Sequence, residues 1–454
     1  MGLKDRLKAR IEKTTQSSYK EDSVVKTGFD VLDYRNAKIL KDGTPSPGIA
    51  IGKYCIIIGK SGSGKSTLGI QMIANIAKSI GEEGLAYHFD FERATPKERI
   101  MILSGLTEEE FEDMYEIKNT NISSDSIHDT FVNLKREKAG LDEKNKKIKG
   151  FDKTESLMES PWEKGKEIII PTPCLIDSIV TMYPEELDTE KVNEDKMQAN
   201  RVAKGNSEFF QKQLAHIYDA NIIPIYVNHI RTKIKTGYLP VPALLNYLTV
   251  DETIPGGLAQ LQFANNIFKL TARTKLERDS GFGVKGFMVE VKLIKSRSSA
   301  SGHSCMLVFD QVNGFDNLLS NYYLLEELKH ITGSGHGYYL KDLPEIKWKR
   351  LNFKEVYSKS KKLRKAWRRV LKEALMSLVP DLNDIENDIE SRREELLASG
   401  EYGADIVTKK KKRIKKENLT NTDKFKRIKK NGKTTYESRK SGKIYSRKGE
   451  LIES

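Results

Sequence analysis

The chain has 454 residues, 38% hydrophobic and 31% charged, with a formal net charge of +14. That length suits two or three domains with cores of their own. No apolar run approaches the roughly 20 residues of a membrane span, and the amino terminus carries no signal-peptide core. Cys55, Cys174 and Cys305 fit no metal site and read as buried thiols in a reducing cytoplasm.

Residues 3–14 place Leu3, Leu7 and Ile11 at helical spacing, so a short basic amphipathic helix is expected there, followed by a polar link. An apolar run, Tyr54 to Ile58, leads into Gly59-Lys60-Ser61-Gly62-Ser63-Gly64-Lys65-Ser66, and a helical pattern follows from Thr67 to Lys78. Gly84–Asp90 reads as the next strand. Residues 134–167 are dominated by Lys, Glu and Asp and read as a solvated insertion or a helical hairpin. A strand is expected from Ile168 to Asp177, interrupted by Pro171-Thr172-Pro173, and a long helix from Asp195 to Tyr218. Ile222–Val227 has the composition of a buried parallel strand. Asn266–Thr271 and Phe287–Ile294 are further strands. Strands alternating with helices predict an α/β domain with a mainly parallel sheet over about Thr27 to Ile331.

Past Gly333-Ser334-Gly335 the composition changes. Lys359–Leu378 predicts a packed helix with a basic outer face, and Asp384–Ala398 an acidic helix. From Lys409 to Lys448 there are 18 Lys/Arg against three acids, so nearly all of the net charge lies in this tail. With few apolar anchors, residues 403–454 are expected to be mobile or ordered only on binding. The tail reads either as a nucleic-acid arm, with Phe425, Tyr436 and Tyr445 among its cations, or as a solubilising segment.

The glycine-rich run fits G-x-x-x-x-G-K-[ST] in the strand–loop–helix context that the motif needs. Its backbone N–H groups and the helix amino terminus converge on phosphate oxygens. The cradle is Gly59 to Thr67, with Lys65 reaching the β- and γ-phosphates and Ser66 holding Mg²⁺, so ATP and Mg²⁺ are the expected ligands. Asp177, ending a strand, is a candidate to orient the metal or its water. Glu92 is a candidate to polarise an attacking water, with Asp90 competing for the role. Asn228-His229 also ends a strand, where ligand sites of open α/β sheets lie.

The ordered set GKSGSGKST (59–67), HFDFE (88–92), LIDS (175–178), VNHIRTKI (227–234), PGG (255–257) and VKLIKSR (291–297) resembles the RecA-type recombinase family. It is closest to the phage UvsX-like branch, on His229, the Lys295-Ser296-Arg297 triplet and LKDRLKAR with VVKT at 24–27. The resemblance covers roughly residues 1–345. It implies a RecA-like P-loop ATPase core at 27–335, an amino-terminal subunit contact at 1–26, a small, mainly helical region at 336–402 and the basic tail at 403–454.

Position by position, it implies that Glu92 activates water and that Asp177 orients Mg²⁺. It makes His229 a switch between the γ-phosphate and DNA. Lys295 and Arg297 are implied to reach ATP from the neighbouring subunit. DNA loops are implied at about Glu185–Asn206 and at Ile230–Gly257, the second with Arg231, Lys233, Lys235, Tyr238, Gly256 and Gly257 against single-stranded DNA. The implied activity is a DNA-dependent ATPase forming filaments on single-stranded DNA and pairing it with homologous duplex. The implied partners are a single-strand-binding protein and a loader, in a bacterial host cytoplasm and with no membrane.

The chain departs from the family in a shorter Glu92–Pro96 segment, where adenine contacts are expected, in an expanded 134–167 region, in a long second loop with an unassigned apolar stretch Val241–Leu245, and in a basic tail. A hexameric helicase of the same core and an ATP-gated binding module are the competing readings. Only about 25 residues precede the core, too few for the helicase's extra compact domain.

Overall fold

The computed structural model describes residues 23–40, 44–182, 198–232, 247–249, 251–278, 282–335 and 337–379, and four strands within 425–453. The expected helix at 3–14, the stretch Val241–Leu245 and the acidic helix Asp384–Ala398 lie outside the described residues. The chain divides into two compact units, Met1–Pro380 and Asp381–Ser454.

The first unit is a mixed α/β domain built on a nine-stranded sheet. Its strands are β1 (Cys55–Gly59), β2 (Ala86–Asp90), β3 (Tyr115–Lys118), β4 (Thr172–Asp177), β5 (Ile222–His229), β6 (Asn266–Leu276), β7 (Gly286–Ser296), β8 (Ser304–Asp310) and β9 (Gly314–Asp316). They lie in the order β9-β8-β7-β6-β1-β5-β4-β2-β3. The pairs from β6 through β3 are parallel, and β7, β8 and β9 add antiparallel pairs at one side.

Alternation along β1 explains why the sheet is central. Cys55 and Ile57 face one apolar cluster, and Ile56 and Ile58 face another. A strand buried on both faces needs helices on both. Helix α1 (Lys65–Ile80) covers the first face through Leu68, Met72 and Ile76. Helices α2 (Ser124–Ala139) and α3 (Gln198–Asp219) cover the second through Ile127, Phe131, Phe210 and Ile217. The local signals for α2 are a capping box between Ser123 and Ser126 and a left-handed Gly140 that stops it.

Register fixes the functional edge. Gly59 pairs with His229 of β5 and with Leu270 of β6, and Asp177 pairs with Val227 and with Asp90. The carboxyl ends of β1, β5, β4 and β2 therefore meet at one rim. At the opposite rim Asn266 pairs with Cys55 and with Ser296.

Four regions differ from the sequence reading. Residues 134–167 are largely exposed, but the hairpin in them is of strands and not helices: they finish α2 and then pair Leu157–Glu159 with Glu167–Ile169 in antiparallel order. Buried Ile168 and partly buried Trp162 anchor it to the core, and Glu163 accepts the Val24 N–H at 3.1 Å. Widely spaced apolar residues gave this anchoring no periodic signature.

The region after residue 330 is not mainly helical at its start. Ile331–Ser334, Gly337–Leu340 and Leu343–Trp348 form an antiparallel sheet ahead of the helix at Lys361–Met376. Helix α5 (Asn317–Glu327), α6 (Lys361–Met376) and this sheet share an aromatic cluster of Tyr322, Trp348, Phe353 and Trp367, with Tyr322 and Phe353 centroids 4.8 Å apart.

Residues 198–206, where the expected long helix and the implied DNA loop overlap, are the first turns of α3, so the helix holds and the loop does not extend over them. In the second unit, four strands (Phe425–Lys430, Lys433–Ser438, Ile444–Ser446 and Leu451–Glu453) pair in antiparallel order where a mobile tail is expected.

Gly69 on α1 faces β4, where an added Cβ would stand 2.5 Å from Leu175 Cδ1. Gly69→Val should therefore destabilise the protein by about 1–3 kcal/mol through overpacking. The gain in helix propensity, about 0.3 kcal/mol, is too small to offset this. Urea unfolding followed by circular dichroism measures the difference, and an unchanged midpoint would show that α1 shifts freely on the sheet.

Candidate functional site

The glycine-rich motif occupies the turn between β1 and α1. Gly64 precedes the helix with φ +87°, and a Cβ there would meet the Phe315 ring at 2.9 Å. Left-handed backbone and a close ring together require glycine at this place. Lys60 and Ser61 are exposed, Gly62 also has positive φ, and the Ser63 N–H bonds the Lys60 carbonyl at 3.3 Å. Ser63 Oγ is buried with no hydrogen-bond partner in the structure. Such an orphan is rare in folded proteins and marks a place where a polar ligand atom fits.

Lys65 is buried, and its Nζ donates to the Lys60 carbonyl at 3.0 Å across the loop. Burial lowers its pKa, with Asp177 and Glu92 pulling the other way. Ser66 lies beside Asp177, which is 6% exposed. Burial pushes the Asp177 carboxyl up to about 6. The Ser66 hydroxyl opposes the shift, and the neighbouring Glu92 and Asp90 add to it. Thr67 lies in the first turn of α1.

Glu92 follows β2 and reaches across the sheet edge. The Ser178 hydroxyl donates to Glu92 Oε1 at 2.9 Å, and His229 Nε2 stands 3.5 Å from the same oxygen. Ser178, fully buried, has no role in the sequence reading. Its only signal was a hydroxyl directly after the strand-ending acid. Asp90, the competitor of Glu92, is 3% exposed and accepts the Thr95 N–H at 3.4 Å, so it lies inside the sheet rather than at the solvent edge. Glu92 has the accessible position, its side chain 36% exposed.

Beyond His229, Arg231–Thr232 pairs antiparallel with Glu252–Thr253, so the long segment begins and ends in a paired stem. Arg231 is exposed. Gly256 and Gly257 follow the stem, both with positive φ. Lys233, Lys235 and Tyr238 lie outside the described residues.

Lys295 and Arg297 are not brought to the phosphate motif. Lys295 pairs with Ile267, so it lies roughly 10 Å along the strands from Gly59 and two strand spacings of about 4.8 Å across. Its Nζ donates to the carbonyls of Leu261 and, at 3.0 Å, Gln262, and Arg297 also donates to Gln262. These carbonyls belong to the short helix α4 (Ala259–Phe263), which precedes β6 in the chain. Burial, and then the Arg297 charge, lower the Lys295 pKa to about 8.

The residues therefore fit a nucleoside triphosphate and its Mg²⁺: a cation and an unpartnered hydroxyl at the loop, a hydroxyl–carboxylate pair beside them, and a second carboxylate at the open edge. Among the described residues no three His, Cys, Asp or Glu side chains form a metal-binding group. No helix among the described residues is long and apolar enough to cross a membrane.

The Asp177 shift has a thermodynamic sign. A carboxyl pKa raised on folding favours the protonated native state, so its contribution is complete below about pH 4 and is lost as pH rises through about 6. In chelator-containing buffer, Asp177→Asn should gain about 3 kcal/mol on wild type between pH 4 and pH 7. Chemical denaturation across that range measures it. A difference independent of pH would refute burial as the cause.

In comparisons with known proteins, no family model matches the chain and no curated protein matches it.

Proposed function

We propose that this chain is a RecA-like, DNA-dependent ATPase that assembles into filaments on single-stranded DNA and promotes homologous pairing and strand exchange. One observation carries the reading: the phosphate loop, Asp177, Glu92 and His229 share one rim, whereas Lys295 and Arg297 stand on the other. Two cations that do not reach their own chain's loop support a reading in which they serve a neighbour's.

Within one chain the geometry supports the following roles. Lys65 and the loop N–H groups bind the phosphates, and Ser66 with Asp177 holds Mg²⁺. The ion, when bound, neutralises charge that builds on the phosphate oxygens. Ser178 and His229 orient Glu92, whose free oxygen takes a proton from the attacking water. Lys295 and Arg297 from the next subunit stabilise charge in the transition state, which ties turnover to assembly. Arg231, Gly256 and Gly257 lie on the stem and base of the segment offered to DNA, with Lys233, Lys235 and Tyr238 between them in sequence. Homologous duplex, a single-strand-binding protein and a loader are the expected partners, in the cytoplasm of a bacterial host.

The test is ATP hydrolysis with and without single-stranded DNA, together with electron microscopy. DNA-stimulated hydrolysis and open helical filaments are expected. Closed six-membered rings that unwind forked duplex would establish the helicase instead. Glu92→Gln should lower turnover by about 10²–10⁴-fold while nucleotide still binds. Unchanged turnover would remove Glu92 from the chemistry and favour an ATP-gated binding module.

A further inference from the structure

A cleft of about 720 Å³ lies between α2, the last turn of α3 and the loop that follows α2. It stands apart from the glycine-rich loop. Lys138, at the end of α2, donates to the Thr172 hydroxyl at 2.6 Å and to the carbonyls of Ile170 and Ala220. The end of α2 is thereby tied to the start of β4, at the opposite end of that strand from Asp177. One wall of the cleft, with Leu141 and Asn145, comes from the expanded 134–167 region, where the chain departs from the family it resembles. That wall is fixed. Leu141 bridges to Lys147, and Asp142 Oδ1 accepts the N–H groups of Lys144 at 2.9 Å and Lys146 at 2.7 Å.

One end of the cleft is cationic. Arg136 Nε donates to Asn145 Oδ1 at 3.2 Å, and its Nη1 donates to Asn133 Oδ1 at 3.5 Å. Both acceptors are neutral amide oxygens, so they position the guanidinium without cancelling its charge. A guanidinium held in place presents a planar fork of N–H donors that matches phosphate. Lys135 lines the same cleft and donates to Asp219 at 2.6 Å. Asp129 also lines it, seven residues before Arg136 on α2, or roughly 10 Å along the helix. The cleft therefore offers cations at one end and a carboxylate for hydroxyl groups at the other.

Two histidines complete it. His128 on α2 and His216 on α3 meet edge to face, with centroids 5.4 Å apart. His128 Nδ1 is 2.8 Å from Gln213 Nε2. His216 Nδ1 and Gln213 Oε1 are buried without partners. Buried polar atoms left unpaired are uncommon and mark places that a ligand or water can satisfy. Burial, then Lys135 and His128, hold the His216 imidazole below its ordinary pKa; Asp219 opposes the shift and Arg136 adds to it. An anion among these groups would relieve the part of the shift that comes from charge.

We propose that this cleft binds a small phosphate-bearing ligand, with its phosphate on Arg136 and Lys135 beside the two histidines and its hydroxyl end toward Asp129. A sugar phosphate carries both groups. Walls from three segments favour a compact ligand over an extended nucleic-acid strand. The proposal uses no residue of the carboxyl rim and does not depend on the ATPase reading.

The experiment uses the full-length protein with isotope-labelled histidine, observed by nuclear magnetic resonance and titrated with ribose-5-phosphate. The His128 and His216 signals, assigned through His128→Asn and His216→Asn, should both shift saturably, with half-saturation below about 1 mM. Sodium chloride at equal ionic strength should leave them in place. Arg136→Gln should weaken binding at least about tenfold, as loss of a charge-assisted contact to phosphate predicts. Lys149→Gln, exposed in the same region but outside the cleft, should stay within about twofold of wild type. Wild-type signals that ignore ribose-5-phosphate overturn the proposal, a readout independent of how the variants fold. Undiminished binding by folded Arg136→Gln overturns it too. So does a shift produced by oligothymidine and not by the sugar phosphate, which would assign the cleft to a nucleic-acid backbone. None of these outcomes bears on ATP hydrolysis, so the two readings fail separately.

Discussion

Parallel pairing of β1, β5, β4 and β2 is the constraint on which the rest of this molecule depends. In a parallel sheet with both faces covered, sliding one strand by two residues would preserve its buried faces but displace its end. Here the register sets Gly59 beside His229 and Asp177 beside Asp90. The glycine-rich loop, Asp177 and the exposed Glu92 meet because the hydrogen-bond ladder ends where it does. Contacts past the strand ends continue the alignment: the Ile230 N–H bonds the Gly59 carbonyl at 3.0 Å, and the Phe91 N–H bonds the Asp177 carbonyl at 2.8 Å.

The rim formed in this way holds groups that are costly unless something pairs with them. Asp177 is buried beside two other carboxylates, Lys65 is a desolvated cation, and Ser63 Oγ has no partner. A buried charge or orphaned hydroxyl opposes folding unless something pairs with it. On the proposed reading, triphosphate and Mg²⁺ supply those partners, so ligand affinity draws on free energy that the sheet and α1 have already committed. Helices on both faces make that commitment affordable: the apolar clusters around β1 are continuous and bury its isoleucines completely.

Much of the rim is legible from the sequence because its signals are local. Cys-Ile-Ile-Ile-Gly followed by the glycine-rich loop and a 16-residue helix needs no distant partner to be recognised. Asp177 and His229 were readable as polar residues ending apolar runs. What escaped depends on contacts between distant segments. The hairpin at 157–169 is anchored through Val24, 139 residues from Glu163. The Ser178 hydroxyl gains its meaning only when Glu92, 86 residues away, arrives beside it. Gln260 looks like any polar residue on a short helix until Asn228 and Pro255 are seen around it. The three-stranded sheet after residue 330 has strands of four to six residues, too short for a period of two to stand out against a neighbouring helix.

The separation of Lys295 and Arg297 from the phosphate loop has a consequence for how damage spreads. If each nucleotide is served by two chains, the working unit is the junction rather than the subunit. A chain with a ruined loop still lends its cations to one neighbour, and a chain without those cations still holds nucleotide for another. Two differently inactivated chains can then restore one another where their sound faces meet. On that reading the two ends of any row would be chemically unequal: one terminal subunit would hold nucleotide with no donor beside it, and the other would offer cations to nothing. Growth and loss at the two tips would then differ before any loading factor acts.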